Sequence, residues 1–415
     1  MNHPLIEMAA QFHAGRPGGI TSVCSAHPMV IEAALLLAQE TGRVALIEAT
    51  CNQVNQEGGY TGMTPTRFRA FVEEIAARIG FPSDRIILGG DHLGPNPWKH
   101  LDAETAMAKA EAMIAAYSAA GFSKLHLDTS MGCAGESLAL DDETTAARAA
   151  RLALVAEAHS GADAPVYVIG TEVPVPGGAL EALDTVAVTA PQAVARTHAV
   201  HREAFAAAGA SEAFARVIAL VVQPGVEFGH ADVIRFDPGK ARDLSAALAF
   251  LPGIVFEAHS TDYQTEAALE ALVRAGFSIL KVGPWLTFRM REALYGLDAV
   301  ADALDGHPPR NRLMTAMERL MEASPDHWNR HYHGDAKSLW VQRHFSYSDR
   351  IRYYWSERQA IAAVAHLMNR LEGIDIPAPL LDQYLPGLPA HGSARALLIA
   401  AIQGVLAHYA CATAQ

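Results

Sequence analysis

Short apolar runs rich in Val, Ile and Leu recur at residues 19–24, 44–48, 86–92, 125–128, 166–172, 217–222, 254–257 and 279–282. Between them, longer Ala-, Leu- and Glu-rich stretches predict helices over 28–40, 65–79, 103–120, 144–160, 191–208, 240–250 and 265–275. Strand-like runs that are apolar throughout are buried on both faces, and their alternation with helices predicts parallel βα units. Eight such units predict an α/β fold, the (β/α)8 TIM barrel, closing near residue 300. After His307-Pro308-Pro309 no comparable strand follows, and 314–322, 352–371 and 393–408 read as helices. The expected organisation is a barrel over 1–305 with a helical C-terminal appendage, 306–415, packed on it.

Several of the runs stop on a carboxylate or an imidazole: Asp91-His92, Asp128, Glu172 and Glu257-Ala258-His259. Loops at the carboxyl ends of barrel strands build active sites, so these residues are expected to share one. His92 and His259 are candidate ligands of a divalent metal, with zinc the expected ion. The loop after strand six offers Gln223, Glu227 and His230, any one of which could complete the site. Glu172 is a further ligand or an orienting partner. Asp91 could transfer a proton, and Gly89-Gly90 would let the backbone approach a bound group. An N-cap aspartate beside a surface histidine is the plain alternative. Asp128 could act as acid or base, bond a polyol, or cap the next helix. These three carboxylates, Asp91, Asp128 and Glu172, are the catalytic candidates.

The loop at 48–60 is dense in amides and glycines, which suits sugar hydroxyls or a mobile lid. Asn52 and Gln53 are therefore expected to bind substrate, together with Ser260, Thr261 and Lys281. The basic, aromatic segment 343–350 is expected to fold back over the barrel mouth. Arg350 or Arg352 would then meet a sugar phosphate through the planar guanidinium fork.

Composition narrows the partners. The 415 residues are half hydrophobic, enough for a large core, and a net charge of −13 disfavours nucleic-acid binding. Cys24, Cys51, Cys133 and Cys411 show neither metal spacing nor a disulfide framework, and the amino terminus lacks a secretory pattern. With no apolar run of about 18 residues expected to span a membrane, a reduced cytoplasm is the expected location.

The runs 52–56 with 58–63, 89–95, 170–178, 257–264 and 345–355 resemble the GatZ/KbaZ family over nearly the whole chain. The resemblance implies a component of a metal-dependent class II D-tagatose 1,6-bisphosphate aldolase in galactitol or tagatose catabolism, cleaving a ketose bisphosphate to two trioses. It equally implies two alternatives, a non-catalytic subunit that stabilises a separate aldolase chain, or a C4 epimerase of ketoses or keto-sugar acids. An older family name, tagatose 6-phosphate kinase, finds no Gly-rich phosphate loop here. Asp91-His92 is similar to the aldolase pair of proton-transferring Asp and metal-binding His, and His259-Ser260 to the strand-seven segment. At strand six Phe228 stands where the aldolase ligand His would be, so the resemblance requires Glu227 or His230 to substitute.

Overall fold

The computed structural model of the protein describes residues 3–170 and 186–414. Eight parallel strands form a closed barrel: β1 Ile20–Cys24, β2 Ala45–Thr50, β3 Ile86–Leu93, β4 Lys124–Leu127, β5 Val166–Ile169, β6 Val217–Val221, β7 Val255–Ala258 and β8 Phe277–Val282. Each pairs with the next, and β8 closes on β1 with Ser22 opposite Lys281. All eight expected strands are present. Helices Pro28–Glu40 and Pro65–Ile79 carry proline in their first turn, where the missing N–H costs nothing, and are capped by the His27 and Thr64 side chains. The expected helix 240–250 is shorter, Arg242–Ala246 running into a 3₁₀ turn, Ala247–Phe250.

Inside the barrel, apolar residues fill the amino-terminal half. Leu46, Ile87, Val166, Val168, Ile218, Val255 and Ile279 pack there with Leu5, Met8 and Ala9 of an unexpected helix, Pro4–His13. That helix plugs the bottom of the barrel, so polar chemistry is confined to the other end. Two residues further along the same inward faces stand Glu48, Glu257 and Lys281, and Lys124, the first residue of β4, joins them. Gly89 pairs with both Glu48 and Lys124, and a Cβ there would lie 2.7 Å from Glu48 Cγ. The glycine thus makes room for a buried carboxylate and not for a ligand, while Gly90 faces Leu93 and Tyr117.

Beyond the barrel come helices Pro284–Leu304, Arg312–Ala323, Ala336–Phe345, Arg358–Arg370, Ala378–Tyr384 and Ala394–Ala412. The expected helix 352–371 is interrupted: Arg350–Tyr354 is a 3₁₀ helix burying Ile351 and Tyr354, and Arg358–Arg370 buries Ala360 and Leu367. The two pieces bury different faces, which one continuous helix would not do. Ala394–Ala412 has the length and apolarity of a membrane span, contrary to the expectation of no such run, with half of its most apolar window buried. Its apolar residues join the main core against helices Pro28–Glu40, Glu266–Arg274 and Pro284–Leu304. Arg43 donates to Ala410 O at its end, at 3.1 Å.

Candidate active site

A buried ion network floors the upper half of the barrel. Lys124 Nζ lies 2.5 Å from Glu48 Oε1 and 2.6 Å from Glu257 Oε2, with all three side chains fully buried. Lys281 Nζ bonds Glu48 and reaches Asp91 Oδ1 at 2.7 Å and Glu257 Oε1 at 3.5 Å. Removing one partner from such a network leaves an uncompensated buried charge, which costs about 3–5 kcal/mol. Burial alone pushes the Asp91 carboxyl up. The charges of His92 and Lys281 outweigh it and hold Asp91 well below the usual carboxylate range.

Above this floor three imidazoles converge. Ring centroids of His92 and His259 are 4.8 Å apart, those of His92 and His126 4.9 Å, and those of His126 and His259 5.4 Å. One donor atom each from Asp91, His92, His126 and His259 all lie within 4.8 Å of one another. Carboxylates and carbonyls orient the rings. His92 Nδ1 meets Asp128 Oδ2 at 2.8 Å, which leaves Nε2 on the side of Asp91 Oδ2, 3.8 Å away, and His259 Nε2 meets Glu257 Oε1 at 2.9 Å. His126 Nε2 lies 2.9 Å from the Gly170 carbonyl, which can only accept, so Nε2 carries the proton and Nδ1 the lone pair. That lone pair faces Asp91 Oδ1 at 3.0 Å.

The His92 backbone N–H donates to that His126 nitrogen at 3.2 Å, and the Lys281 ammonium stands 2.7 Å from the same Asp91 oxygen. Within the network three carboxylates, Glu48, Asp91 and Glu257, face two ammonium groups, and Asp128 pairs with His92. A three-imidazole, one-carboxylate donor set suits zinc and similar ions. The residues fit a metal. His92 and Ser260, at strand ends, hold φ of 48° and 51°, left-handed backbone that costs of order 1–3 kcal/mol each and tends to accompany function.

Of the expected site residues, Asp91, His92 and His259 meet at the cluster, and Lys281 and Asp128 support it. The third imidazole comes from β4, as His126, and not from the strand-six loop. Glu227 accepts from Ser260 Oγ at 3.2 Å and from Phe228 N–H at 2.9 Å; it is not one of the four clustered residues. His230 is a correction of the same kind: Nδ1 lies 3.0 Å from Ser346 Oγ and the ring edges onto Tyr332, so it docks the C-terminal segment. Gln223 Oε1 accepts from Gly225 and Val226 N–H and shapes its own loop. Thr261 Oγ1 donates to Lys281 O at 2.5 Å and touches the Tyr409 hydroxyl, tying β7 and β8 to the last helix. Gln53 Oε1 accepts from Thr50 N–H at 2.8 Å, whereas Asn52 is exposed. Arg350 Nε bonds His327 O, and its own N–H donates to the Tyr332 hydroxyl. Glu172 lies outside the described residues. His126, Lys124 and Glu48 are not among the site residues expected from the sequence, although Glu257 stands among the strand ends; the available signal is a polar residue repeating every second position within an apolar run.

The C-terminal segment crosses this end of the barrel. Tyr347 N–H donates to His230 O after β6, the Tyr263 hydroxyl after β7 donates to Tyr347 O, and Asp349 accepts from Thr287 in the helix after β8. Tyr353 meets Tyr60 of the β2 loop at a centroid distance of 4.9 Å.

A family model described as D-tagatose-1,6-bisphosphate aldolase subunit GatZ/KbaZ-like matches residues 5–414. A protein of Agrobacterium fabrum named D-tagatose 6-phosphate 4-epimerase is 56% identical over 418 residues, covering 99% of this chain and 98% of the relative. A crystal structure from Sinorhizobium meliloti 1021, described as a probable tagatose 6 phosphate kinase, has a TM-score of 0.88 at 56% identity, covering 95% of this chain and all of that one. Glycerol-complexed fructuronate-tagaturonate epimerase UxaE of Cohnella laeviribosi, at 12% identity and a TM-score of 0.51 over 95% of this chain and 81% of that one, shares the fold.

Proposed function

The chain belongs to the GatZ/KbaZ-like family of D-tagatose-1,6-bisphosphate aldolase subunits, and from that premise we propose that it is a metal-dependent C4 epimerase of a ketose 6-phosphate, D-tagatose 6-phosphate foremost. The observation that carries this reading is the convergence of Asp91, His92, His126 and His259 at the carboxyl end of the barrel. The name of the 56% identical relative supports the substrate. His92, His126 and His259 would hold the ion, zinc by its donor set, with Asp91 beside it. A divalent ion there supplies Lewis-acid polarisation of the ketose carbonyl and its neighbouring hydroxyl.

The chain's own groups then have defined tasks. Asp128 and Glu257 orient His92 and His259, and Lys281 fixes Asp91. Asp91, ionised near neutrality, accepts the proton of the C4 hydroxyl as the C3–C4 bond breaks, leaving an aldehyde at C4 and an enediolate over C2 and C3. Turning the aldehyde and re-forming the bond on its other face returns the proton to the C4 oxygen with inverted configuration. Releasing the two fragments instead is aldol cleavage, the reading that the family description favours for this chain or for a partner chain it stabilises. A phosphorylated substrate and four free cysteines suit a cytoplasmic location.

The purified chain with a divalent ion is expected to interconvert D-tagatose 6-phosphate and its C4 epimer, D-fructose 6-phosphate. Asp91→Asn should lower that rate about 10²- to 10⁴-fold while circular dichroism stays unchanged. A wild-type chain inert on ketose phosphates that nonetheless prolongs the activity of a co-expressed class II aldolase would establish the stabilising-subunit reading instead.

A further inference from the structure

Many barrels bind phosphate after strands seven and eight, at a helix amino terminus. Here a carboxylate holds that place: Asp262 Oδ1 accepts from Gly283 N–H at 3.1 Å and Trp285 N–H at 2.8 Å, at the start of helix Pro284–Leu304. A phosphate dianion there would meet a buried acid, so its site should lie elsewhere on the mouth.

The C-terminal segment brings two cations to the mouth. Among the described residues neither Arg350 nor Arg352 is ion-paired, although their neighbours are: Arg343 holds Glu318, and Arg291 faces Asp349 at 3.4 Å. Arg350 is only 9% exposed, and burial without a counter-charge pushes its guanidinium below the usual value. Arg352 bonds Ser348 O, Asp349 O and, at 2.9 Å, the Tyr353 hydroxyl, over whose ring its guanidinium lies at 4.4 Å. Because the Tyr353 oxygen accepts from Arg352, its own proton is available to an incoming anion. The Tyr353 ring meets Tyr60 of the β2 loop at a centroid distance of 4.9 Å. Arg352 and Tyr353 therefore stand on the segment that crosses the barrel mouth.

We propose that Arg352, backed by Arg350 and with the Tyr353 hydroxyl as a third donor, forms the phosphate subsite of this pocket, its ligand the dianionic phosphate of a sugar phosphate. Desolvated guanidinium groups lacking a carboxylate partner suit that ligand, and the planar fork matches its oxygens. The assignment rests on the epimerase reading for its substrate but not for its anion.

The test is titration of the full-length, zinc-loaded chain with inorganic phosphate by calorimetry, beside steady-state kinetics on D-tagatose 6-phosphate. Arg352→Met is expected to weaken phosphate binding about tenfold to a hundredfold and to raise KM by a similar factor, with zinc content unchanged. Arg352→Lys, which keeps the charge and loses the fork, should fall between. Unaltered phosphate affinity in a folded Arg352→Met chain overturns the subsite. If Arg352→Met does not fold, wild-type affinity in both Arg352→Lys and Arg350→Met overturns it equally. Should the wild type epimerise no ketose phosphate yet bind phosphate in an Arg352-dependent way, the subsite stands and the epimerase reading falls.

Discussion

His27 Nδ1 accepts the Met29 N–H at 3.3 Å and caps helix Pro28–Glu40, while burial pushes its ring down from the usual 6.5 to about 4. Folding favours the neutral ring, so its contribution is complete above pH 6.5 and is lost as pH falls from 6.5 through 4. His3, His331 and His344 are lowered by burial to the same level, so acid sensitivity in this window is shared. His27→Asn keeps a capping acceptor without a titrating ring, and the drop in Tm between pH 7 and pH 4.5 should shrink relative to wild type. An equal drop would show that His27 is not part of it. The same residue type shows what the sequence could reveal. His92 and His259 were legible because each ends an apolar run. His126 was not, because it sits inside its run, and only the pairing of β3 with β4 sets it 4.9 Å from His92. Lys124 was hidden in the same way, its partners Glu48 and Glu257 lying far off in sequence.

At the scale of elements, apolar runs separated by capped helices were enough to predict all eight strands, since each such signal is local. Helix Pro4–His13 was missed because a ten-residue helix has little stability of its own, and its apolar face has meaning only against the barrel floor. Leu5, 1% exposed, is its anchor. Leu5→Ala should cost about 2–5 kcal/mol, seen as a lower denaturant midpoint. A loss under about 0.5 kcal/mol, the level of an ordinary surface substitution, would mean that the helix does not close the core. The split of the expected helix 352–371 was likewise invisible, because contact with Tyr60 and the barrel mouth decides where the chain turns.

For the molecule as a whole, the segment drawn across the mouth bears on more than affinity. Bond cleavage followed by re-addition on the opposite face succeeds only if the aldehyde fragment outlasts its own reorientation. The ties from Tyr347 to His230 and Tyr263, and from Asp349 to Thr287, would make the covered mouth a cage for that fragment. Tyr347→Ala, which removes a ring 4.4 Å from Tyr263, is expected to raise the triose released per turnover, measured with coupled dehydrogenases. No triose above the wild-type level would show that this closure does not retain it. Lyase and isomerase would then be two ends of one partition ratio, set by how quickly a fragment escapes and not by which groups break the bond.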